Sequence, residues 1–386
     1  MRKMIIPTGS DLGLVLYVTK GLADVAEAEV TEIAPAARVR LRQDRFLILD
    51  AALADAERLG AAARTIDDIR LLVAGPARID GRPGFEELCR AAGTVVAALL
   101  PLPEPRPTVL PLPEPRPTAG QSGDEWSVTV SARNPPWRRA PAWDPAPVIA
   151  GQLHGADPAA TTRRAVDLRI QVDDDMAHIA VSLWPEPVGK RPGEPRIPGR
   201  NHPLGQATWA GALRPTVAAA LVRLGLAGIG QAAAADGLYD PFCGSGTILA
   251  EAAHAGLPVF GSDVSQRAVA LTRERLAVQG GFGPGELLRR IFVSDVHRGP
   301  DPRVTARLLV GNMPWGKQVK VDRRLALFDA TAQLAAHTIA RGGAAVLLTT
   351  HEDQLLPRLR RRGLTATTRR IGLLGQTPAI VTARPA

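Results

Sequence analysis

The chain has 386 residues, 45% of them hydrophobic and 22% charged. That is ordinary for a globular protein and long enough for two or three domains with separate cores. No run of about 18 apolar residues is present, which argues against a membrane-spanning helix. The opening M-R-K-M-I-I-P-T-G-S has no signal-peptide pattern, so a cytoplasmic location and no membrane partner are expected. Two cysteines, Cys89 and Cys243, are too few for a disulfide framework or a cysteine-based zinc site, and no metal is expected. The net charge is +9 and is unevenly spread. Residues 1–184 hold 21 Lys/Arg against 24 Asp/Glu, whereas residues 185–386 hold 26 against 14. A basic second half favours a polyanionic partner, with a solvated basic surface as the plainer alternative. Within it the cluster Arg358–Arg362 reads equally as RNA contacts or as a solvated helix end. Only five of the 47 basic residues are lysine, a bias that with abundant Ala, Gly and Pro points to a GC-rich, bacterial-type genome.

Residues 13–75 alternate apolar runs with amphipathic stretches. The pattern predicts strands at 14–18, 39–41, 46–49 and 69–73 and helices at 22–34 and 51–63, with Val25, Val30 and Ile33 turned inward. This mixed order suggests a small α+β sandwich. A helix is expected around 85–99. A tandem repeat follows, because L-P-L-P-E-P-R-P-T occupies both 100–108 and 110–118. Proline at that density favours polyproline II, so residues 100–118 read as an exposed insertion, with partner docking as an alternative. Strands are expected at 126–132, 166–172 and 177–183. Between the first two lies R-N-P-P-W-R-R, in which Arg133, Trp137, Arg138 and Arg139 offer phosphate contacts and stacking for RNA, or simply a proline-rich loop with one packed Trp. Residues 185–210, rich in Pro, Gly and basic groups, read as a linker.

The pattern changes from Gly211. Arg214-Pro215-Thr216 opens a helix, with Pro in its first turn. Strands at 238–239, 259–262, 290–293, 307–310 and 344–349 then alternate with helices at 246–255, 265–278 and 325–340, which implies a parallel, doubly wound sheet. Where the first of these strands ends, Asp240–Thr247 reads D-P-F-C-G-S-G-T. Gly244 and Gly246 let backbone approach a ligand closely, and the turn runs straight into a helix. A dinucleotide loop would carry a third Gly where Leu249 stands, and no G-K-[ST] follows. Asp240, Asp263 and Asp295 end three successive strands. They suit, respectively, a positively charged amine, two ribose hydroxyls and an adenine amine. Pro241, Cys243, Ser245 and Thr247 complete the candidate cofactor loop. Each Asp alone would read as a cap or turn residue.

Asn312–Gly316 reads N-M-P-W-G after the fourth strand. An aromatic amine is a poor nucleophile because its lone pair is delocalised into the ring. The Asn312 carboxamide oxygen and the Met313 backbone carbonyl can each accept one N–H of such an amine and so align its lone pair. Pro314 stiffens the turn, and Trp315 offers a stacking face for an unstacked base. Catalysis of this kind is positioning and electrostatics. Neither cysteine lies in this loop, so carbon methylation through a cysteine adduct is disfavoured.

These two motifs resemble those of the THUMP-domain RNA methyltransferases that modify guanosine N2. D-P-F-C-G-S-G-T-I-L-A-E-A-A at 240–253 is similar to the family's first S-adenosylmethionine (SAM) motif. N-M-P-W-G-K at 312–317 is similar to its amine clamp, and with it Lys317 joins the candidate RNA contacts. The region 126–183 resembles a THUMP core. The resemblance implies an α/β fold with four parts: a ferredoxin-like domain (1–75), a THUMP-like domain with the proline-rich insertion (76–184), a linker (185–210) and a Rossmann-like class I methyltransferase domain (211–386). It implies SAM as cofactor, with Asn312 also near it. It further implies a transfer RNA substrate held by its acceptor stem and CCA end, with N2-methylguanosine near nucleotide 6 as product; a monomer is expected. The alternatives are an exocyclic amine of ribosomal RNA, another RNA or DNA, or an inactive RNA-binding protein. The chain departs from the family in its proline repeat, in the net acidity of residues 1–184, and in Met313 where Pro is commoner.

Overall fold

A computed structural model describes residues 12–99, 126–133, 166–173, 175–182, 212–229, 233–314, 324–339, 342–373 and 375–386. The duplicated segment 100–118 and the linker 185–210 therefore lie outside the described residues.

The N-terminal half is built on one seven-stranded sheet of order β2-β3-β1-β4-β7-β6-β5. Its strands are β1 (Leu12–Val18), β2 (Arg38–Gln43), β3 (Phe46–Ala51), β4 (Ile66–Arg78), β5 (Trp126–Arg133), β6 (Val166–Asp173) and β7 (Met176–Ser182). Its helices are α1 (Ala23–Ile33), α2 (Leu53–Ala62) and α3 (Gly81–Leu99). Side chains of a strand alternate between faces. Leu14, Leu16, Leu47, Leu49, Ile69 and Ile179 face the helices with Val30, Leu59 and Phe85, while Val15, Tyr17, Phe46 and Ile48 pack on the other side. Strand β4 runs across residues 75 and 76 and pairs with both β1 and β7, so one continuous sheet joins the segments on either side of that expected boundary.

The C-terminal half holds a second seven-stranded sheet of order β10-β9-β8-β11-β12-β14-β13. Strands β8 (Leu238–Asp240), β9 (Val259–Asp263), β10 (Ile291–Val293), β11 (Leu308–Asn312) and β12 (Ala344–Thr349) are parallel. They read as unbroken apolar runs because both faces are covered. Helices α4 (Pro215–Ile229), α5 (Thr247–His254) and α6 (Gln266–Gln279) contribute Val217, Leu221, Leu249 and Val269 to the core on one side. Helices α8 (Arg324–Ile339) and α9 (Glu352–Arg360) contribute Phe328, Ala335 and Leu355 on the other. Ser265 caps α6 by accepting from the Ala268 N–H at 3.3 Å.

Four elements go beyond the sequence expectation. The short helix α7 (Pro284–Arg290) starts in a glycine-rich stretch, with Pro284 at its first position. Helix α9 contains Pro357. Strand β14 (Ala379–Pro385) pairs antiparallel with β12, and β13 (Leu364–Arg370) pairs antiparallel with β14 at the edge, so the sheet is mixed rather than wholly parallel. β13 is an edge strand of sequence L-T-A-T-T-R-R with mostly exposed positions, and it carries little apolar signal.

The halves share core. Leu22 and Val25 of α1's first turn region pack with Leu213, Leu221 and Ile371 of the C-terminal half, whereas Ala26 and Val30 of the same helix pack under the N-terminal sheet. Arg223 of α4 pairs with Glu32 at 2.6 Å, and the Gly372 N–H donates to the Lys20 carbonyl at 3.0 Å.

Candidate active site

In parallel α/β sheets, ligand sites form beyond the carboxyl ends of the strands, near the point where strand order reverses. Here that edge carries four polar residues on four adjacent strands. Asn312 ends β11, Asp240 ends β8, Asp263 ends β9, and Asp295 lies two residues past β10.

The turn after β8 needs glycine twice, for different reasons. Gly244 and Gly246 both have positive φ, 52° and 78°. A Cβ at Gly246 would sit 2.9 Å from Thr272 Cγ2, so this glycine serves packing against α6. One at Gly244 would meet nothing closer than the Phe242 carbonyl at 3.8 Å, so this glycine faces open space. Thr272 pins the turn by donating to the Gly244 carbonyl at 2.9 Å, and its hydroxyl lies 3.6 Å from Cys243 Sγ. Burial pushes the Cys243 thiol well above its usual range, with Asp240 adding to the effect, and the residue is buried. It is packing, not a nucleophile. Pro241, Ser245 and Thr247 are likewise buried. Thr247 Oγ1 accepts from Arg275 at 3.0 Å.

Asp240 is 1% exposed. Its Oδ1 accepts the Phe242 N–H at 2.9 Å. Burial raises its pKa to about 8; the Phe242 N–H opposes this, and the nearby Asp263 adds to it. No cation is among these influences. A Cβ at Gly311 would sit 3.4 Å from Asp240 Oδ1 and 3.2 Å from Phe242 Cδ2, so a glycine on β11 makes room for the carboxyl. Asp263 is half-buried and accepts the Gly244 N–H at 3.0 Å and the Ser265 N–H at 2.9 Å, tying the first turn to the second. A carboxylate has about four acceptor positions, so two remain for a ligand. Beside it Val264 is 68% exposed, an apolar surface at a polar edge. Asp295 is held below the usual carboxylate range, first by the His297 N–H. Its Oδ1 lies 3.0 Å from that nitrogen and 2.6 Å from His297 Nδ1. It caps the short 3-10 turn Val296–Arg298.

On β11, Asn312 is half-buried. Met313 donates its N–H to the Leu348 carbonyl at 3.0 Å and buries its side chain with Phe328 and Leu347, which explains an apolar residue there. Pro314 follows, half-buried. Trp315 and Lys317 lie outside the described residues, as do Trp137, Arg138 and Arg139. Arg133 ends β5, but only its backbone is described. Two arginines of the 358–362 cluster hold the protein's own structure. Arg358 bonds Asp329 at 2.9 Å, and Arg362 donates to the Asp329 carbonyl at 3.2 Å. Sequence reasoning missed Thr272, Gly311 and Val264. Only the last has a local signal, an apolar residue directly after a strand-ending acid. Among the described residues no three His, Cys, Asp or Glu gather as a metal site, and no helix is long and apolar enough to cross a membrane.

Comparison with known proteins bears on this edge. Residues 205–379 match the model of the family described as UPF0020, RMKL-like methyltransferase domain. The chain is 29% identical over 213 residues to the tRNA (guanine(6)-N2)-methyltransferase of Thermus thermophilus, a match covering 54% of this chain and 55% of that protein. It is 31% identical over 156 residues to the mouse U6 snRNA (guanine-N(2))-methyltransferase THUMPD2, covering 39% and 27%. The chain thus matches about half or less of the length of these curated relatives. The crystal structure of TrmN from Thermus thermophilus superposes with a TM-score of 0.64 at 22% identity, over 97% of this chain and 100% of that one. The C-terminal half therefore has the Rossmann-like fold of class I methyltransferases.

Proposed function

We propose that this chain is a SAM-dependent tRNA methyltransferase forming N2-methylguanosine in the acceptor stem, near nucleotide 6, and that it works as a cytoplasmic monomer. The observation that carries the reading is Asp240, a buried carboxyl pushed up to about 8 by burial and by Asp263. A cationic ligand group against it would offset that burial, and the ammonium of SAM is such a group. The open space at Gly244 and the two acceptor positions left on Asp263 fit a nucleoside beside it.

SAM supplies an electrophilic methyl on a sulfonium. In this reading Asp263 would hold the ribose hydroxyls, Val264 the adenine face, and Asp295 the adenine amine, through the oxygen that does not meet His297. The Asn312 carboxamide oxygen and the Met313 carbonyl hold the two N–H groups of guanine N2. Held so, the nitrogen lone pair would face the methyl that SAM supplies, and N2 would shed its surplus proton after the transfer. No strong base is required, because the amine becomes acidic once methylated. The names of the two curated relatives, both guanine-N2 methyltransferases of RNA, support the amine and the RNA; that of the Thermus protein supports position 6 of tRNA.

The test is incubation with labelled SAM and unmodified bulk tRNA, followed by nucleoside mass spectrometry. N2-methylguanosine is the expected product. Product on ribosomal RNA or DNA alone would discard tRNA as substrate. SAM binding without product on any nucleic acid would discard the enzymatic reading.

A further inference from the structure

The N-terminal half reaches into the helix that springs from the cofactor loop. Arg64, just before β4, donates Nε to Glu251 Oε2 at 2.9 Å and Nη2 to Oε1 at 2.8 Å. Glu251 sits on α5, one turn past Thr247, with 2% of its side chain exposed. Arg64 is itself fixed from behind. Its backbone N–H donates to the buried Glu29 at 2.8 Å, and Thr65 gives that same carboxylate two more bonds, from its N–H at 2.8 Å and its hydroxyl at 2.6 Å. A two-pronged pair of this kind fixes orientation as well as charge. A second cation is near. Arg275 on α6 feels the Glu251 charge, but its Nη1 donates to Thr247 Oγ1, the first residue of α5.

We propose that Arg64 is a positioning residue for the cofactor site. By neutralising Glu251 it leaves Arg275 on Thr247 and so holds the start of α5, and with it the Gly244–Gly246 turn, in its binding form. Without Arg64 the buried Glu251 carboxylate still acts on Arg275, and drawing that guanidinium over takes it off Thr247. The N-terminal half then contributes to cofactor affinity as well as to any grip on RNA. This inference rests on the reading of the turn as a SAM site.

The experiment is calorimetric titration of SAM into the full-length protein and three variants, Arg64→Met, Glu251→Gln and the double variant, with melting followed in parallel. Binding of SAM to the wild type tests the underlying reading by itself. Given that binding, Arg64→Met should weaken it about tenfold. Glu251→Gln should stay within about twofold of wild type, because the neutral amide no longer attracts Arg275. The double variant should recover most of the affinity lost in Arg64→Met. A purely packing role for Arg64 gives no such recovery, so a double variant as weak as Arg64→Met overturns the proposal, as does wild-type affinity in Arg64→Met. If Arg64→Met does not fold, Arg64→Gln takes its place, with the charge removed and a donor kept. It should bind severalfold more weakly, and unchanged affinity in it is equally fatal.

Discussion

Replacing Asp240 by Asn should do two opposite things, strengthening the fold and weakening the cofactor. The amide keeps an oxygen for the Phe242 N–H and removes an acid that must hold a proton to sit in the site. With the folded carboxyl at about 8 against an ordinary 3.8, the native state binds a proton that the unfolded state releases. Stability of the wild type therefore falls as pH rises from about 4 to about 8 and is level above that. The full linkage at pH 7 is on the order of 4 kcal/mol. Local opening of the turn lets part of that escape, so the gain in Asp240→Asn is about 2–4 kcal/mol, or roughly 2–5 °C in melting temperature. The gain should shrink towards pH 5, where less of the linkage has built up. Ligand affinity moves the other way. Losing the charged partner of an ammonium costs about 1.5–3 kcal/mol, roughly 10–150-fold in Kd. Wild-type affinity should also improve about tenfold per pH unit up to about pH 8, because binding selects the ionised carboxyl, and that slope should vanish in the variant. Thermal melts from pH 5 to 9 and titrations across the same range measure both. Identical melting curves for the two proteins at every pH would refute the reasoning about the buried carboxyl, and unchanged SAM affinity would remove Asp240 from the cofactor site.

Asn312→Ala should lower turnover roughly 10²–10³-fold with SAM affinity intact; single-turnover methylation against a SAM titration separates the two, and normal turnover would end the clamp assignment. Asp263→Ala should weaken SAM binding and destabilise the protein by about 1–3 kcal/mol, since the Gly244 and Ser265 N–H groups lose their acceptor. Retained affinity by equilibrium dialysis would contradict that role. RNA affinity should fall steeply and linearly in log–log form as salt rises, by virtue of counterion release; a flat response in filter binding would mean that phosphates are not what holds the RNA.

The parallel strands were legible because burial on both faces leaves continuous apolar runs, and the tight turn after β8, proposed to hold the cofactor, because its glycines have a local reason to be there. What escaped the sequence depends on distant partners. Thr272 matters through Gly244, 28 residues away, and Gly311 through Asp240. The link between Arg64 and Glu251 spans 187 positions. The arginines around 360 read equally well as RNA contacts or as a helix end. For Arg358 and Arg362 the deciding fact is Asp329 on a neighbouring helix, which no local pattern announces. β13 was missed because an edge strand need not be apolar.

Helix α1 lies under two cores at once, and this bears on synthesis of the chain. A ribosome finishes residues 12–99 long before it reaches α4. Until then Leu22 and Val25 have no cover from Leu213, Leu221 and Ile371, and Arg64 lacks Glu251. The nascent N-terminal half therefore waits with an oily, charge-flanked flank, the kind of surface that invites chaperone binding or self-association.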